Sequence, residues 1–207
     1  MTAARPPVLH ILAGPNGAGK SSLYEAEVSH LAEAEFVNAD RLALKALGHH
    51  ALTQSEAELG QRLAVERRAQ LLAAKQDIVT ESTFSHPSKL ELVRDAKAAG
   101  YRVAVYHVNV ESADLAVNRV RARQAHGGHP VAEDRIRGRY DRNPALIREA
   151  VLLADWAFVF DNSAFGARPR RIIAFANGRV LRVVPPLPVW AQALYGPDLK
   201  PWPGTPP

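Results

Sequence analysis

Five short apolar runs punctuate the first 161 residues, and a stretch with helical character follows each of the first four. The runs are VLHILA (Val8–Ala13), FVNAD (Phe36–Asp40), DIVTES (Asp77–Ser82), YRVAVYHVNV (Tyr101–Val110) and WAFVFD (Trp156–Asp161). Most are apolar nearly throughout rather than alternating, which predicts strands covered on both faces. Between them, a helix is predicted from near Lys20 to about Ala34. Thr53 and Glu56 form a capping box ahead of a long helix to Lys75. Pro87 suits a first helical position, and Gly100 ends the helix that it opens. Ser112 caps a helix running toward Gln124 and stopped by Gly127–Gly128, and Asn143–Pro144 opens another that ends near Asp155.

Strand and helix alternating in this way predict an α/β chain, a three-layer sandwich around a mainly parallel five-stranded sheet. After Ser163 the pattern changes. RIIAFANGRVLRVV places two β-rich runs around Asn177–Gly178, which predicts a C-terminal β-hairpin at about 171–184. From Pro185 onward lie eight of the fifteen prolines, so this tail is expected to be extended or irregular. The organisation expected is one domain over 1–184 and a Pro-rich tail over 185–207. A chain of 207 residues can bury a real core as a single unit.

Composition narrows the function classes. An apolar share of 47% and a charged share of 23% are those of an ordinary soluble protein. No apolar run approaches the roughly 18–20 residues of a membrane span, and the first residues carry no signal-peptide core, so a cytoplasmic chain without a membrane partner is expected. The absence of cysteine excludes disulfides, thiolate zinc sites and a cysteine nucleophile. The eight histidines form no H-E-x-x-H or comparable ligand set, which removes a metal hydrolase. The net charge of +5 is locally concentrated: seven arginines against three acids lie between Arg119 and Arg142. With little aromatic interleaving, this favours chemistry on anionic phosphates over binding to nucleic acid.

GPNGAGKS (Gly14–Ser21) matches G-x-x-x-x-G-K-[ST] between a strand and a helix. Backbone N–H groups of such a loop wrap a polyphosphate, and glycines keep side chains out of the anion's path. Gly14, Pro15, Asn16, Gly17, Ala18, Gly19, Lys20, Ser21 and Ser22 are therefore the expected ATP-binding residues. Lys20 reaches the β- and γ-phosphates, and the Ser21 hydroxyl completes a magnesium shell. The competing reading is a plain glycine-rich turn. Asp40, past the second strand, faces the same crevice as a base or caps the following helix. Glu81 and Thr83 are acceptor-binding groups or ordinary strand-end polar residues. Arg119 and Arg123 share one helix face, Arg135 and Arg139 another, and together they predict a basic lid over about 119–142. The bland alternative is a solvated basic face.

In order, LAGPNGAGKS, FVNAD, ESTFS, the R-x-x-x-R…GGH segment with IRGRY, and FVFDNS (Phe158–Ser163) resemble the zeta-toxin family of P-loop kinases. The resemblance spans about Val8 to Ser163. It implies a fold similar to nucleotide and shikimate kinases, and ATP with magnesium used to phosphorylate the 3′-hydroxyl of UDP-N-acetylglucosamine. It also implies a toxin restrained by a small antitoxin protein. By position, Lys20 and Ser21 then hold phosphates and Mg2+, Asp40 is the catalytic base, and Glu81 and Thr83 contact the substrate. Arg119 matches one phosphate-contacting arginine, and Arg123, Arg135, Arg137 and Arg139 compete for the second. Sugar-nucleotide members often carry an arginine just after E-x-T, where this chain has Phe84 and Ser85. A nucleotide-dependent switch and a nucleic-acid-end kinase stay open as alternatives to a kinase acting on a small hydroxyl-bearing substrate such as a UDP-sugar.

Overall fold

The computed structural model describes residues 5–30, 34–49, 53–125 and 131–199. Strands β1 (Val8–Ala13), β2 (Glu35–Val37), β3 (Ile78–Ser82), β4 (Arg102–Asn109) and β5 (Trp156–Asp161) run parallel. Strands β6 (Arg170–Ala176) and β7 (Arg179–Val183) are antiparallel additions on the β5 side. The order is β2-β3-β1-β4-β5-β6-β7. The expected α/β architecture is present, with one correction: the sheet has seven strands rather than five. The hairpin is not separate, because Ile173 pairs with Val159 and carries the sheet onward.

Every residue of β1 but the first is buried, and so is every residue of β4 but the first. That explains their continuous apolar runs, since a strand with helices on both faces has no solvent side. β7 is instead an edge strand, with Arg179 and Arg182 exposed, and charge on an edge discourages pairing with other chains.

The helices are α1 (Lys20–Leu23), which passes into a wider π-helical turn over Tyr24–Val28, α2 (Ala39–Leu47), α3 (Gln54–Ala73), α4 (Ser88–Ala98), α5 (Ala113–Ala125), α6 (Glu133–Leu153) and α7 (Val189–Leu199). Leu9, Ile11 and Ala13 of β1 pack with Leu71 of α3, Val93 of α4, Ile147 of α6 and Tyr195 of α7. On the opposite face Leu12 meets Leu23 and Val28. A third cluster joins Val110 to Val117 and Val120 of α5 and Ile136 of α6.

Four expectations about elements are corrected. The helix expected to reach Ala34 holds its helical path only to Val28. β2 ends at Val37, because the Asn38 side chain accepts the Arg41 N–H at 2.9 Å and starts α2. α6 begins at Glu133, and Pro144 lies inside it rather than at its start. Burial of Ile136 before the proline and Ile147 after it holds the helix together against a penalty of about 3 kcal/mol for an interior proline. Finally, the tail is not irregular throughout: α7 buries Ala191, Tyr195 and Leu199 against the core. Their i, i+4, i+8 spacing is a helical stripe among the prolines. The Tyr195 hydroxyl lies 2.7 Å from Nδ1 of His107, and complete burial pushes that imidazole down to about 3, so it is neutral.

Asp155, in the turn between α6 and β5, ties the helix layer to the sheet. Its buried carboxylate accepts from the Val103 N–H at 2.9 Å, Arg102 at 2.9 Å and Lys97 at 3.1 Å. Burial pushes its pKa up, but the Val103 N–H, Arg102 and Lys97 together outweigh this and hold it below the ordinary aspartate value. A depressed folded pKa means stability present above the unfolded carboxylate pKa and lost as pH falls through the folded one. Asp155→Asn is expected to cost about 1–3 kcal/mol at neutral pH in urea unfolding. The gap to wild type should close in acid; a gap of constant size down to pH 2–3, on the scale of carboxylate titration, would contradict this.

Candidate active site

β1 and β3 end level, with Leu12 opposite Glu81 and Ala13 opposite Ser82, and β4 flanks β1 on its other side. The chain turns to opposite sides of β1 for β3 and β4, so a crevice opens beyond these carboxyl ends. The loop over Gly14–Gly19 fills its floor. Gly17 and Gly19 have φ of 77° and 92°, in the left-handed region that glycine adopts without strain. A Cβ on Gly19 would sit 2.2 Å from Asn162 Nδ2. That same amide donates to the Ala18 carbonyl at 2.8 Å, pinning the loop from the end of β5.

The Lys20 ammonium is 6% exposed and donates to the carbonyls of Gly14 and Pro15, both at 3.0 Å. It lies 3.5 Å from Glu81 Oε1. Burial pushes its pKa below the ordinary lysine value; Glu81 and Asp40 act to raise it, and Arg123 lowers it further. Glu81 Oε2 also accepts from Asn38 at 3.0 Å and from the Ser21 hydroxyl at 3.4 Å. One carboxylate from β3 thus gathers the loop lysine, the loop serine and the cap of α2.

A cavity of about 800 Å³ opens above these groups. Lys20, Ser21, Asp40, Glu81 and Thr83 line it. Asp40 is exposed in the first turn of α2, and the capping role falls to Asn38. Asn16, Gly17, Gly19 and Ser22 also reach the cavity, whereas Gly14, Pro15 and Ala18 do not line it. Gly14 and Pro15 offer carbonyls to Lys20, and the Ala18 side chain is buried in the core.

The arginine-rich stretch divides in two. Arg119, Arg123, Arg135 and Arg139 line the cavity. Arg119 donates to the Ala164 carbonyl at 3.3 Å, Arg135 to Gln54 at 3.1 Å and Arg139 to Asn16 at 2.9 Å. Burial lowers the Arg139 pKa, and Arg135 and Arg142 add to this. Arg121 and Arg137 point elsewhere: both pair with Glu133, and Arg137 also meets Asp114 at 2.7 Å. Arg137 therefore drops out of the four competitors. The glycine pair expected to join the two basic segments lies outside the described residues, as do His50, His126 and His129.

Sequence reasoning missed Asn38, Asn162, Arg68 and Lys89, which come together only through the fold. It also missed Phe165, 99% exposed on the loop after β5, at the cavity wall. Of the two residues just after Glu81-x-Thr83, Phe84 buries its ring in the core and Ser85 lines the cavity.

A family model described as Zeta toxin matches residues 1–150. The chain belongs to the zeta-toxin family. No curated protein matches it at the sequence level. Among solved structures, this zeta-toxin family member is similar to AvrRxo1-ORF1:-ORF2 with ATP, at TM-score 0.68 and 16% identity over 97% of this chain. It is also similar to the PezAT chromosomal toxin-antitoxin system of Streptococcus pneumoniae, at 0.56 and 13%, covering 78% of this chain and 70% of the other. A kinase-like protein from Chloroflexus aurantiacus, titled a putative kinase, matches at 0.52 and 20%, covering 66% and 78%. At these identities the likeness concerns the fold. The chain spans 64–66% of the length of the matched AvrRxo1 chains. Among the described residues no helix is long and apolar enough to cross a membrane.

The Asn162 pin and the Gly19 conformation should couple. Asn162→Ala is expected to lower stability by about 1–2 kcal/mol through the lost bond to the loop. Gly19→Ala should cost more, from both the clash and a strained φ of 92°. Because the clash needs the amide, the double variant should be less destabilised than the sum, read by urea unfolding. Strict additivity would separate the two residues.

Proposed function

We propose that this zeta-toxin family protein is an ATP-dependent kinase that transfers the γ-phosphoryl group to a hydroxyl of a small molecule. The acceptor we assign is the 3′-hydroxyl of a UDP-N-acetyl sugar. The observation that carries the reading is the meeting of Lys20, Ser21 and Asp40 on one cavity, with Glu81 bonded to the first two.

In this reading the loop N–H groups and the start of α1 receive the phosphates. Lys20 exchanges the Gly14 and Pro15 carbonyls for phosphate oxygens. Arg119 and Arg123 stabilise charge on the group in transfer, and Arg135 or Arg139 adds to them from α6. The acceptor oxygen attacks the γ-phosphorus, the bond to the β–γ bridging oxygen breaks, and the acceptor's proton passes to the Asp40 carboxylate. Glu81 and Thr83 position the acceptor. Positioning and charge carry the rate, with no covalent enzyme intermediate.

The residues fit magnesium. Ser21 offers a hydroxyl oxygen with the Glu81 carboxylate 3.4 Å away, and no cluster of three side-chain ligands occurs among the described residues. Magnesium characteristically takes one or two protein oxygens and fills its shell with phosphate and water. When bound, it neutralises the β- and γ-oxygens, with Ser21 as its ligand from this chain.

Two structural neighbours, AvrRxo1-ORF1:-ORF2 and PezAT, are titled as paired systems, the second as toxin and antitoxin. We extend this to a small antitoxin as the protein partner of this chain.

Full-length protein incubated with ATP, magnesium and a panel of UDP-sugars should yield a phosphorylated sugar nucleotide. Asp40→Asn should bind ATP normally and lose at least about 100-fold in turnover, while Lys20→Ala weakens both. Transfer by Asp40→Asn at the wild-type rate would remove Asp40 as the base. ATP binding without product from any acceptor would favour a nucleotide-dependent switch. Product formed only on oligonucleotide ends would favour a nucleic-acid kinase.

A further inference from the structure

Consecutive residues at the end of β5, 161–164, reach into three other parts of the molecule. Asn162 holds the phosphate loop through Ala18, and its own N–H donates to the Asn109 carbonyl of β4 at 2.9 Å. The carbonyls of Ser163 and Ala164 accept from the Arg119 guanidinium of α5 at 3.5 and 3.3 Å. Asp161 reaches the other way, toward α7. One of its oxygens, Oδ1, accepts both from the Ser163 hydroxyl at 2.6 Å and from the Trp190 indole N–H at 3.1 Å. The transfer step uses neither Asp161 nor Trp190, and neither lines the cavity.

The two ends of this tie differ in rigidity. α7 is a fixed body, with Ala191, Tyr195 and Leu199 in the core. The Trp190 ring meets His107 edge-on, with centroids 5.4 Å apart, and His107 is bonded in turn to Tyr195. Arg170, opposite Asp161 in the β5–β6 ladder, donates to the carbonyls of Val184 and Pro186 at 3.3 and 2.7 Å, in the segment that leads into α7. The loop after β5 has less to hold it: residues 164–168 are all exposed. Ordering such backbone has an entropic cost that its few bonds must meet. The bonds from Arg119 are long and end on neutral oxygens, so they place the guanidinium without committing it. Where the Ser163 carbonyl points therefore decides where Arg119 points. The Ser163 hydroxyl, tied by Asp161 to a fixed indole, decides where that carbonyl points.

We propose that Asp161 is a positioning residue: by joining Ser163 to Trp190 it fixes the carbonyls that aim Arg119 into the cavity. The proposal rests on the kinase reading, in which Arg119 stabilises charge on the group in transfer, and it gives α7 a part in that step from outside the cavity. A guanidinium displaced by a fraction of its working distance loses much of its effect on a transition state, which is why such a remote tie affects rate.

The first measurement needs no acceptor. The full chain is saturated with magnesium and the β,γ-imido analogue of ATP, with binding followed by calorimetry and the indole N–H signals by NMR. Trp190→Phe identifies the Trp190 signal. Phosphate oxygens draw Arg119 off the Ser163 and Ala164 carbonyls, so the Trp190 signal should shift on binding, and shift much less in Arg119→Ala. The second measurement is turnover with ATP and the UDP-sugar acceptor. Asp161→Ala and Trp190→Phe should each lower kcat about tenfold with the KM for ATP within about threefold of wild type. Asp161→Asn keeps an acceptor oxygen and should recover most of the rate. In an Arg119→Ala background the same changes should cost less than about twofold, because the residue they act through is gone. A tie that only docks α7 gives its full effect in both backgrounds, and that result overturns the proposal. Trp190→Phe keeps the ring and carries the comparison if Asp161→Ala does not fold. Analogue bound by wild type with an unmoved Trp190 signal overturns the proposal alone. Wild type that binds no analogue strikes the kinase reading itself, and the role of Arg119 with it.

Discussion

A lysine ammonium shut away from water needs partners, and the site is arranged around meeting that need. An unpaired buried charge costs several kcal/mol. Lys20, 6% exposed, meets two carbonyls of its own loop and one carboxylate from the neighbouring strand. Those contacts fix where the loop must turn, which strand must lie beside it and where Glu81 must point. The same carboxylate reaches Ser21 and Asn38, so the start of α1, the end of β3 and the start of α2 share one anchor. Because Asn38 caps α2, Asp40 in the next turn is carried to the rim of the same cavity.

Around this anchor, charge is distributed unevenly. Glu133 and Asp114 neutralise Arg121 and Arg137 away from the cavity. Arg119, Arg123, Arg135 and Arg139 are left to face it, and Arg119, Arg135 and Arg139 are each bonded to a neutral group rather than a carboxylate. Arg68 and Lys89 add two more cations. Neutral partners hold the side chains in place without cancelling their field, so the cavity stays attractive to polyphosphate.

The sheet acts as a rigid bracket. Its central strands are sealed on both faces, and close-packed interiors transmit position rather than absorb it. Asn162, from the end of β5, reaches back across the crevice to hold the loop. The hairpin and α7 widen the core on the far side, with Tyr195 fully buried beneath them.

Much of this was legible in the chain itself. Local rules operate over a few residues: the loop motif, the capping box at Thr53, the doubly buried strands and the Asn177–Gly178 turn are each written in consecutive positions. Their order was enough to predict the strand–helix alternation and to nominate Lys20, Ser21, Asp40 and Glu81. The proline-based readings failed where packing overrode local preference. Pro144 sits inside α6 because Ile136 and Ile147 are buried on either side of it, and α7 forms among prolines because Ala191, Tyr195 and Leu199 find a core. Which arginines face inward could not be read either, since Arg137 and Arg139 differ only in whether an acid from another turn or helix meets them. Asn162, Arg68 and Lys89 belong to the cavity wall through contacts separated by tens of residues along the chain. Sequence determines what the backbone can do locally; only the tertiary structure decides which distant side chains share a dielectric, and charge responds to that neighbourhood.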